Sequence, residues 1–297
     1  MSQSFPFLPF KSNFTKVHSF KIHYLDEGAG NPVLFVHGNP TYSYLWRNII
    51  PSVVNRPNTR VIAIDLLGFG FSDKPNIPYT VDLHYSILKE FISILNLKNL
   101  TIIAHDWGGP LAVKYSIDHL DNMNKLLVMD TFLWNLTWDD FPKKVKLPFK
   151  LMRSAFGYFM IQVMNGFVKS FIPQNIYHKE KITAELMDNY KLPFPTVKSR
   201  KAIREFPKMI PVNGKPKSSY DFFEYLENHI NKINIPFKML IAKPGMGEVN
   251  MAKVQLLVDI MPNFSFEYIE SSGHYMQEDR PDEVVEIILS FINQEHI

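Results

Sequence analysis

The chain has no cysteine. Disulfides, thiolate catalysis and cysteine-built metal sites are therefore excluded, and a cytoplasmic home is expected. Glycine is scarce, 13 in 297 residues, and no internal repeat or low-complexity tract is present. No apolar run is long enough to cross a bilayer. The greasiest, Phe156 to Val168, contains Gln162 and Asn165 and falls short of the ~20 residues needed. The first residues, Met1-Ser2-Gln3-Ser4-Phe5-Pro6, lack the basic patch and apolar run of a secretory signal. Charge of either sign is nearly balanced, 32 Lys and Arg against 29 Asp and Glu, and the lysines are spread out. Short runs such as Lys143-Lys144 read as solvated surface, and with no basic stripe a nucleic-acid partner is not expected. There is no P-loop lysine motif and no H-E-x-x-H. Gly68-Phe69-Gly70 lacks the third glycine of a dinucleotide fingerprint. The ten histidines show no metal-ligand spacing. Neither cofactor nor metal is expected, no membrane partner is expected, and the chain should be a monomer or a weak homo-oligomer.

What is present is a large core: 46% of the residues are hydrophobic, enough for one main domain with an insertion. Short continuous apolar runs recur, at Val33–Val36, Val61–Ile64, Thr101–Ala104 and Leu126–Met129. Each ends in a polar or small residue, and helical spacing fills Tyr85–Leu95 and Gly109–Leu120 between them. Continuous runs of that length, alternating with helices, predict strands of a parallel sheet covered on both faces. Residues 8–26 alternate instead and read as an antiparallel edge hairpin. From 132 to 213 strand runs give way to Phe, Met, Lys and seven prolines. Phe237–Ile241 and Phe264–Ile269 then restore the strand pattern, and a last helix begins at Pro281. The expected architecture is α/β, a mostly parallel doubly wound sheet formed by 1–131 and 214–297, with 132–213 inserted as a helical cap at the carboxyl ends of the strands.

Three motifs carry chemistry. Ala104-His105-Asp106-Trp107-Gly108-Gly109 stands where a strand opens into a helix, with the small residues a nucleophile elbow requires on either side of Asp106. A carboxylate in that position is suited to attack on saturated carbon, which leaves an ester on the enzyme. Capping of the following helix is the equally natural alternative for an aspartate here. Gly273-His274 follows the last strand, where α/β hydrolases carry their base, so His274 is the candidate for activating the water that cleaves the ester. The acid that orients it is expected at Asp130, directly after its strand, with Glu248 as the rival. His37-Gly38-Asn39-Pro40 follows another strand and supplies an oxyanion-type loop. The Asn39 amide and the Trp107 indole are neutral donors suited to a large soft anion, although a turn asparagine and a core tryptophan would look the same.

These segments resemble haloalkane dehalogenases. The resemblance is carried by His37-Gly-Asn-Pro-Thr-Tyr-Ser-Tyr-Leu-Trp-Arg-Asn48, by Asp65-Leu-Leu-Gly-Phe-Gly-Phe-Ser-Asp-Lys-Pro75, by His105-Asp-Trp-Gly108 and by Gly273-His-Tyr-Met-Gln-Glu-Asp-Arg-Pro281. Asn165–Val168 and Glu205–Pro207 also fit, so nearly the whole chain is covered. The resemblance implies the α/β-hydrolase fold and hydrolysis of haloalkanes to alcohol, halide and proton. It implies Asp106 as nucleophile, His274 as base, and Asn39 with Trp107 as halide donors. In the branch of that family with Asn as second donor, the acid after the strand ending at Met129 is usually Glu. Asp130 is one methylene shorter, about 1.5 Å less reach. Lys169 stands where an acidic residue is common. Phe141, Phe149, Phe156, Phe159, Phe167, Phe171 and Phe206 are expected to line the cap and its pocket. An epoxide hydrolase is the alternative enzyme, with Tyr158, Tyr177 and Tyr190 as possible donors to the epoxide oxygen. A luciferase-type oxygenase resembling the same family and a non-catalytic small-molecule receptor are the remaining readings.

Overall fold

Among the described residues the strands build one nine-stranded sheet, in the order β1-β2-β3-β5-β4-β6-β7-β8-β9. The computed structural model describes residues 3–5, 8–245 and 251–294. The strands are β1 (Gln3–Phe5), β2 (Leu8–Val17), β3 (Phe20–Gly28), β4 (Asn31–Val36), β5 (Thr59–Ile64), β6 (Leu100–His105), β7 (Met123–Met129), β8 (Phe237–Lys243) and β9 (Phe264–Glu270). From β5 to β9 the neighbours are parallel, and the expected edge hairpin is β2 with β3, which joins β5 antiparallel. Residues of β6 are buried along its whole length, which is why its sequence is continuously apolar rather than alternating.

Parallel register aligns the strand ends that matter. Val36 pairs with Ala104, His105 with Met129, and Met129 with Leu240. Residues 37–39, 106 and 130 therefore emerge side by side at the same edge of the sheet. Helices Val81–Ile94, Gly108–Asp118 and Lys217–His229 pack together as one layer, and Ile50–Val54 with Pro281–Asn293 belong to the other. The Val81 helix starts as its sequence demands: Thr80 Oγ1 accepts the Leu83 N–H at 3.2 Å, and Asp82 sits in the first turn. Lys125 points from β7 to the end of the last helix and donates to the carbonyls of Phe291 (3.0 Å) and Ile292 (2.9 Å), a cation at a helix C-terminus. No helix among the described residues is long and apolar enough to cross a membrane.

Between β7 and the Lys217–His229 helix the chain forms mainly short helical pieces, among them Lys143–Arg153, Ala184–Lys191 and Lys201–Met209. Arg200 stitches them: its guanidinium is buried and donates to the carbonyls of Gln162 (2.7 Å), Phe194 (2.9 Å) and Val163 (3.1 Å). The phenylalanine expectation needs correcting here. Phe149, Phe167 and Phe206 are buried, but Phe156 and Phe159 are about half exposed, at 49% and 51%. The segment Tyr158–Val163 is π-helical, with the Met164 N–H reaching back to the Phe159 carbonyl at 2.9 Å. That wider register turns Ile161 and Gln162 inward and leaves Phe159 outside.

Candidate active site

Asp106 has φ +51°, in the left-handed region that costs a non-glycine residue about 1–2 kcal/mol. The turn is held from three sides. The Asp106 N–H donates to Met129 O (3.1 Å), and the Asp106 carbonyl accepts from Thr131 Oγ1 (2.6 Å) and from the Gly109 N–H (2.9 Å). Close approach also explains the glycines around it. A Cβ on Gly108 would stand 2.3 Å from Val36 O, and one on Gly109 2.3 Å from Thr131 Oγ1. A Cβ on Gly38 would stand 2.1 Å from Asp106 Oδ1 itself.

Bare backbone at Gly38 lets the 37–39 loop close on the carboxylate. Asp106 Oδ1 accepts the Asn39 N–H at 2.7 Å, and the Trp107 N–H also donates to this carboxylate. Its partners thus lie across the loop and at the elbow, while the Gly109 N–H goes to the backbone carbonyl. Burial raises the Asp106 pKa, and the charge of His274 and these two N–H groups act against the rise by favouring the ionised form.

His274 stands opposite. Its Nδ1 bonds Asp130 Oδ2 at 2.6 Å, and since a carboxylate only accepts, Nδ1 carries the proton. Its Nε2 then presents a lone pair 3.6 Å from Asp106 Oδ2 and has no hydrogen-bond partner among the described residues. Burial pushes the His274 pKa down, but the Asp130 hydrogen bond and the charges of Asp130 and Asp106 outweigh it and hold the pKa above the usual histidine value. The shorter acid reaches because β7 and β8 bring Asp130 close: its N–H bonds Leu240 O at 2.8 Å, and its Oδ1 accepts the Ala242 N–H at 3.4 Å. Glu248, the rival acid, lies outside the described residues.

The two donor candidates sit beside Asp106. Trp107 is buried, with Phe132, Phe206 and Phe223 meeting its ring edge-on at centroid distances of 5.3, 5.3 and 6.1 Å. Asn39 Nδ2 donates to Ile203 O at 3.3 Å, which uses one of its two amide hydrogens and leaves the other. Phe171 lies edge-on to His274 at 6.4 Å. Asp106, His274, Asn39 and Trp107 are all buried, so the chemistry is shielded from bulk water.

Four residues that sequence reasoning passed over support this arrangement. His105 Nε2 donates to His274 O at 2.8 Å. Thr131 ties the elbow. Asp279 accepts the N–H groups of Gly273 (2.8 Å), Tyr177 (2.9 Å) and His178 (2.8 Å), so one buried carboxylate anchors the His274 loop and the segment between β7 and β8 together. Glu278 takes a bidentate pair from Arg47 at 2.7 Å and the Tyr190 hydroxyl at 2.5 Å. Arg47, Glu278 and Asp279 all lie within motifs the sequence displayed. A signal was present, but it did not say which carboxylate faces which partner.

The family model described as the alpha/beta hydrolase fold matches residues 31–159. A haloalkane dehalogenase of Sphingobium indicum is 31% identical over 290 residues, covering 96% of each chain. One from Agrobacterium fabrum is 30% identical over 275 residues, covering 92% of this chain and 89% of that protein. Among solved structures, the haloalkane dehalogenase of Agrobacterium tumefaciens C58 superposes with a TM-score of 0.88 at 28% identity, covering 95% of this chain and 96% of that one.

Proposed function

The chain belongs to the haloalkane dehalogenase family and hydrolyses carbon–halogen bonds, and we propose that it does so in two steps through a covalent ester on Asp106. In the first step the Asp106 carboxylate displaces halide from the substrate carbon. The C–X bonding pair leaves with the halide, whose growing charge is met by the Trp107 indole N–H and the free amide hydrogen of Asn39. In the second step His274 Nε2 takes a proton from water, and the resulting hydroxide adds to the ester carbonyl carbon. The oxyanion forms where the N–H groups of Asn39 and Trp107 already converge on the carboxylate. Asp130 stabilises the imidazolium. Collapse expels the alcohol and restores Asp106, so haloalkane and water give alcohol, halide and one proton.

The observation that carries this reading is the shared histidine: bonded to Asp130 at 2.6 Å through Nδ1, it turns Nε2 toward Asp106. The epoxide alternative finds no support. Tyr190 is engaged with Glu278, and Tyr158 and Tyr177 are exposed at 44% and 46%. The receptor reading leaves the paired carboxylates around His274 without a purpose. We also propose that 132–213 acts as a cap over a core of 1–131 and 214–297, and that the protein works in the cytoplasm as a monomer or weak homo-oligomer, in keeping with a sequence free of cysteine.

The test is halide release from 1-bromobutane by the purified protein beside Asp106→Ala. Release by the parent and none by the folded variant is expected. Release by the variant at the parent's rate would overturn the assignment of Asp106.

A further inference from the structure

We propose that the outer surface of the inserted helical segment is a docking face for an anionic lipid membrane. Thirteen large apolar side chains among the described residues are exposed, and seven of them lie between Leu147 and Met164. Leu147 and Leu151 are one turn apart on the Lys143–Arg153 helix, while Val145, Phe149 and Met152 turn inward or lie half-buried. The next turns expose Phe156, Tyr158, Phe159, Met160 and Met164. Leu147, the most prominent, is 65% exposed. Apolar side chains gathered in one short stretch are unlike the scattered single ones of an ordinary surface.

The charge around them has one sign. From Lys143 to Lys179 there is no Asp or Glu, and the cations are Lys143, Lys144, Lys146, Lys150, Arg153, Lys169 and Lys179. The whole chain has an excess of only +3, so the remainder is net acidic. The helix packed against this stretch, Lys201–Met209, adds Lys201, Arg204 and Lys208 against one carboxylate, Glu205, which Arg204 already bonds. Outside the stretch, exposed Asp139 meets Lys146 at 3.2 Å. Lys150 and Arg204 stand over the rings of Trp138 (4.7 Å) and Tyr158 (5.3 Å), so cations rim the aromatic side chains.

That combination selects the occupant. A second copy of the chain would set cations against cations, and like charges facing each other across an interface cost several-fold to many-fold in affinity. Protein interfaces are also depleted in lysine. A bilayer with anionic headgroups accepts both features: Leu, Phe and Met side chains enter the headgroup–acyl boundary, and lysine stems lie along it with their ammonium groups among the phosphates. The protein would lie on the membrane without spanning it. This amends the expectation of no membrane partner, which rested on the missing apolar span.

The test is co-sedimentation of the full chain with vesicles of phosphatidylcholine and of an equimolar mixture with phosphatidylglycerol. Binding to the mixed vesicles alone is expected, weakening as salt rises. Leu147→Ser with Leu151→Ser should weaken it about tenfold. Replacing Lys143, Lys144, Lys146 and Lys150 with Gln should abolish it. Neither variant should alter the circular dichroism spectrum or halide release in solution. Absence of binding to the mixed vesicles, or equal binding by the variants, would overturn the proposal. So would light scattering that shows a dimer lost in the leucine variant, which would assign the face to a second copy.

Discussion

His274 meets two carboxylates unequally, Asp130 at 2.6 Å and Asp106 at 3.6 Å. The near one holds the ring and fixes its proton on Nδ1. The far one leaves Nε2 uncommitted, as the proposed base, acting after the proposed ester has formed, would need to be. His274→Phe should therefore release about one equivalent of halide per enzyme and stop. Intact-mass spectrometry should find the protein heavier by the alkyl group of the substrate. An unmodified mass after halide release would rule out the two-step scheme.

The pH profile follows from the same geometry. His274 must be neutral to accept a proton, and the two carboxylates hold its pKa above the ordinary value of about 6.5. Turnover should therefore fall as pH drops through a midpoint above ~6.5, not below it. For stability the sign is opposite. A raised histidine pKa contributes stability that is present below the unfolded value and is lost as pH rises through the folded one. A steady-state profile flat from pH 8 down to 5.5 would remove His274 from the rate-limiting step.

The choice between acids is settled by three variants. Asp130→Asn should lower turnover by about 10²- to 10⁴-fold, because the amide no longer fixes the Nδ1–H tautomer or stabilises the imidazolium. Asp130→Glu should also be impaired, since a 2.6 Å contact has no room for another methylene. Glu248→Gln should leave halide release unchanged. Loss of turnover in Glu248→Gln with Asp130→Asn active would transfer the role.

Gly38→Ala tests the contact between the 37–39 loop and the Asp106 carboxylate. Its new Cβ would lie 2.1 Å from Asp106 Oδ1, so the carboxylate or the Asn39 N–H must move. A shift near 1 Å at the reacting atoms costs about 10²-fold in rate. The melting temperature should also fall, since overpacking a buried site costs about 1–3 kcal/mol. Wild-type turnover would mean that the loop and carboxylate are not in contact during the reaction.

Asp279→Ala should do both kinds of damage. Three backbone N–H groups from two parts of the chain lose their acceptor. Leaving buried donors unpaired costs about 3 kcal/mol in total. Urea unfolding should show that loss, and halide release should fall with it because Gly273 precedes the base. An unchanged unfolding midpoint would show that water replaces the carboxylate freely.

Sequence was most informative where one physical rule acted alone. Continuous apolar runs marked the four central parallel strands β4 to β7, because strands buried on both faces have no polar alternation, while the alternating Phe264–Ile269 marks the edge strand β9. The position of Asp106 between a strand and a helix, and of His274 after the last strand, follows from chain order. Relations set by tertiary packing were less legible. Phe156 and Phe159 look like any other phenylalanine of 132–213 in composition; the π-helical register leaves Phe159 outside, and Phe156 lies exposed on the turn just before it. The short β1 and the Met251–Ile260 helix carried no pattern strong enough to mark them. His105 and Asp279 sit inside recognisable motifs, but His105 meets His274, 169 positions away, and Asp279 meets Tyr177 and His178, 102 and 101 positions away, in segments that only folding brings together.

The carboxylate of Asp279 also bears on how the protein matures. Residues 177–178 and 273 are about a hundred positions apart, yet both are seated by the same two oxygen atoms. Until the inserted segment docks, the loop carrying the base lacks the neighbour that completes its anchor. On the proposed role of His274, a half-assembled molecule is expected to be inactive, so turnover should report on both ends of that bridge.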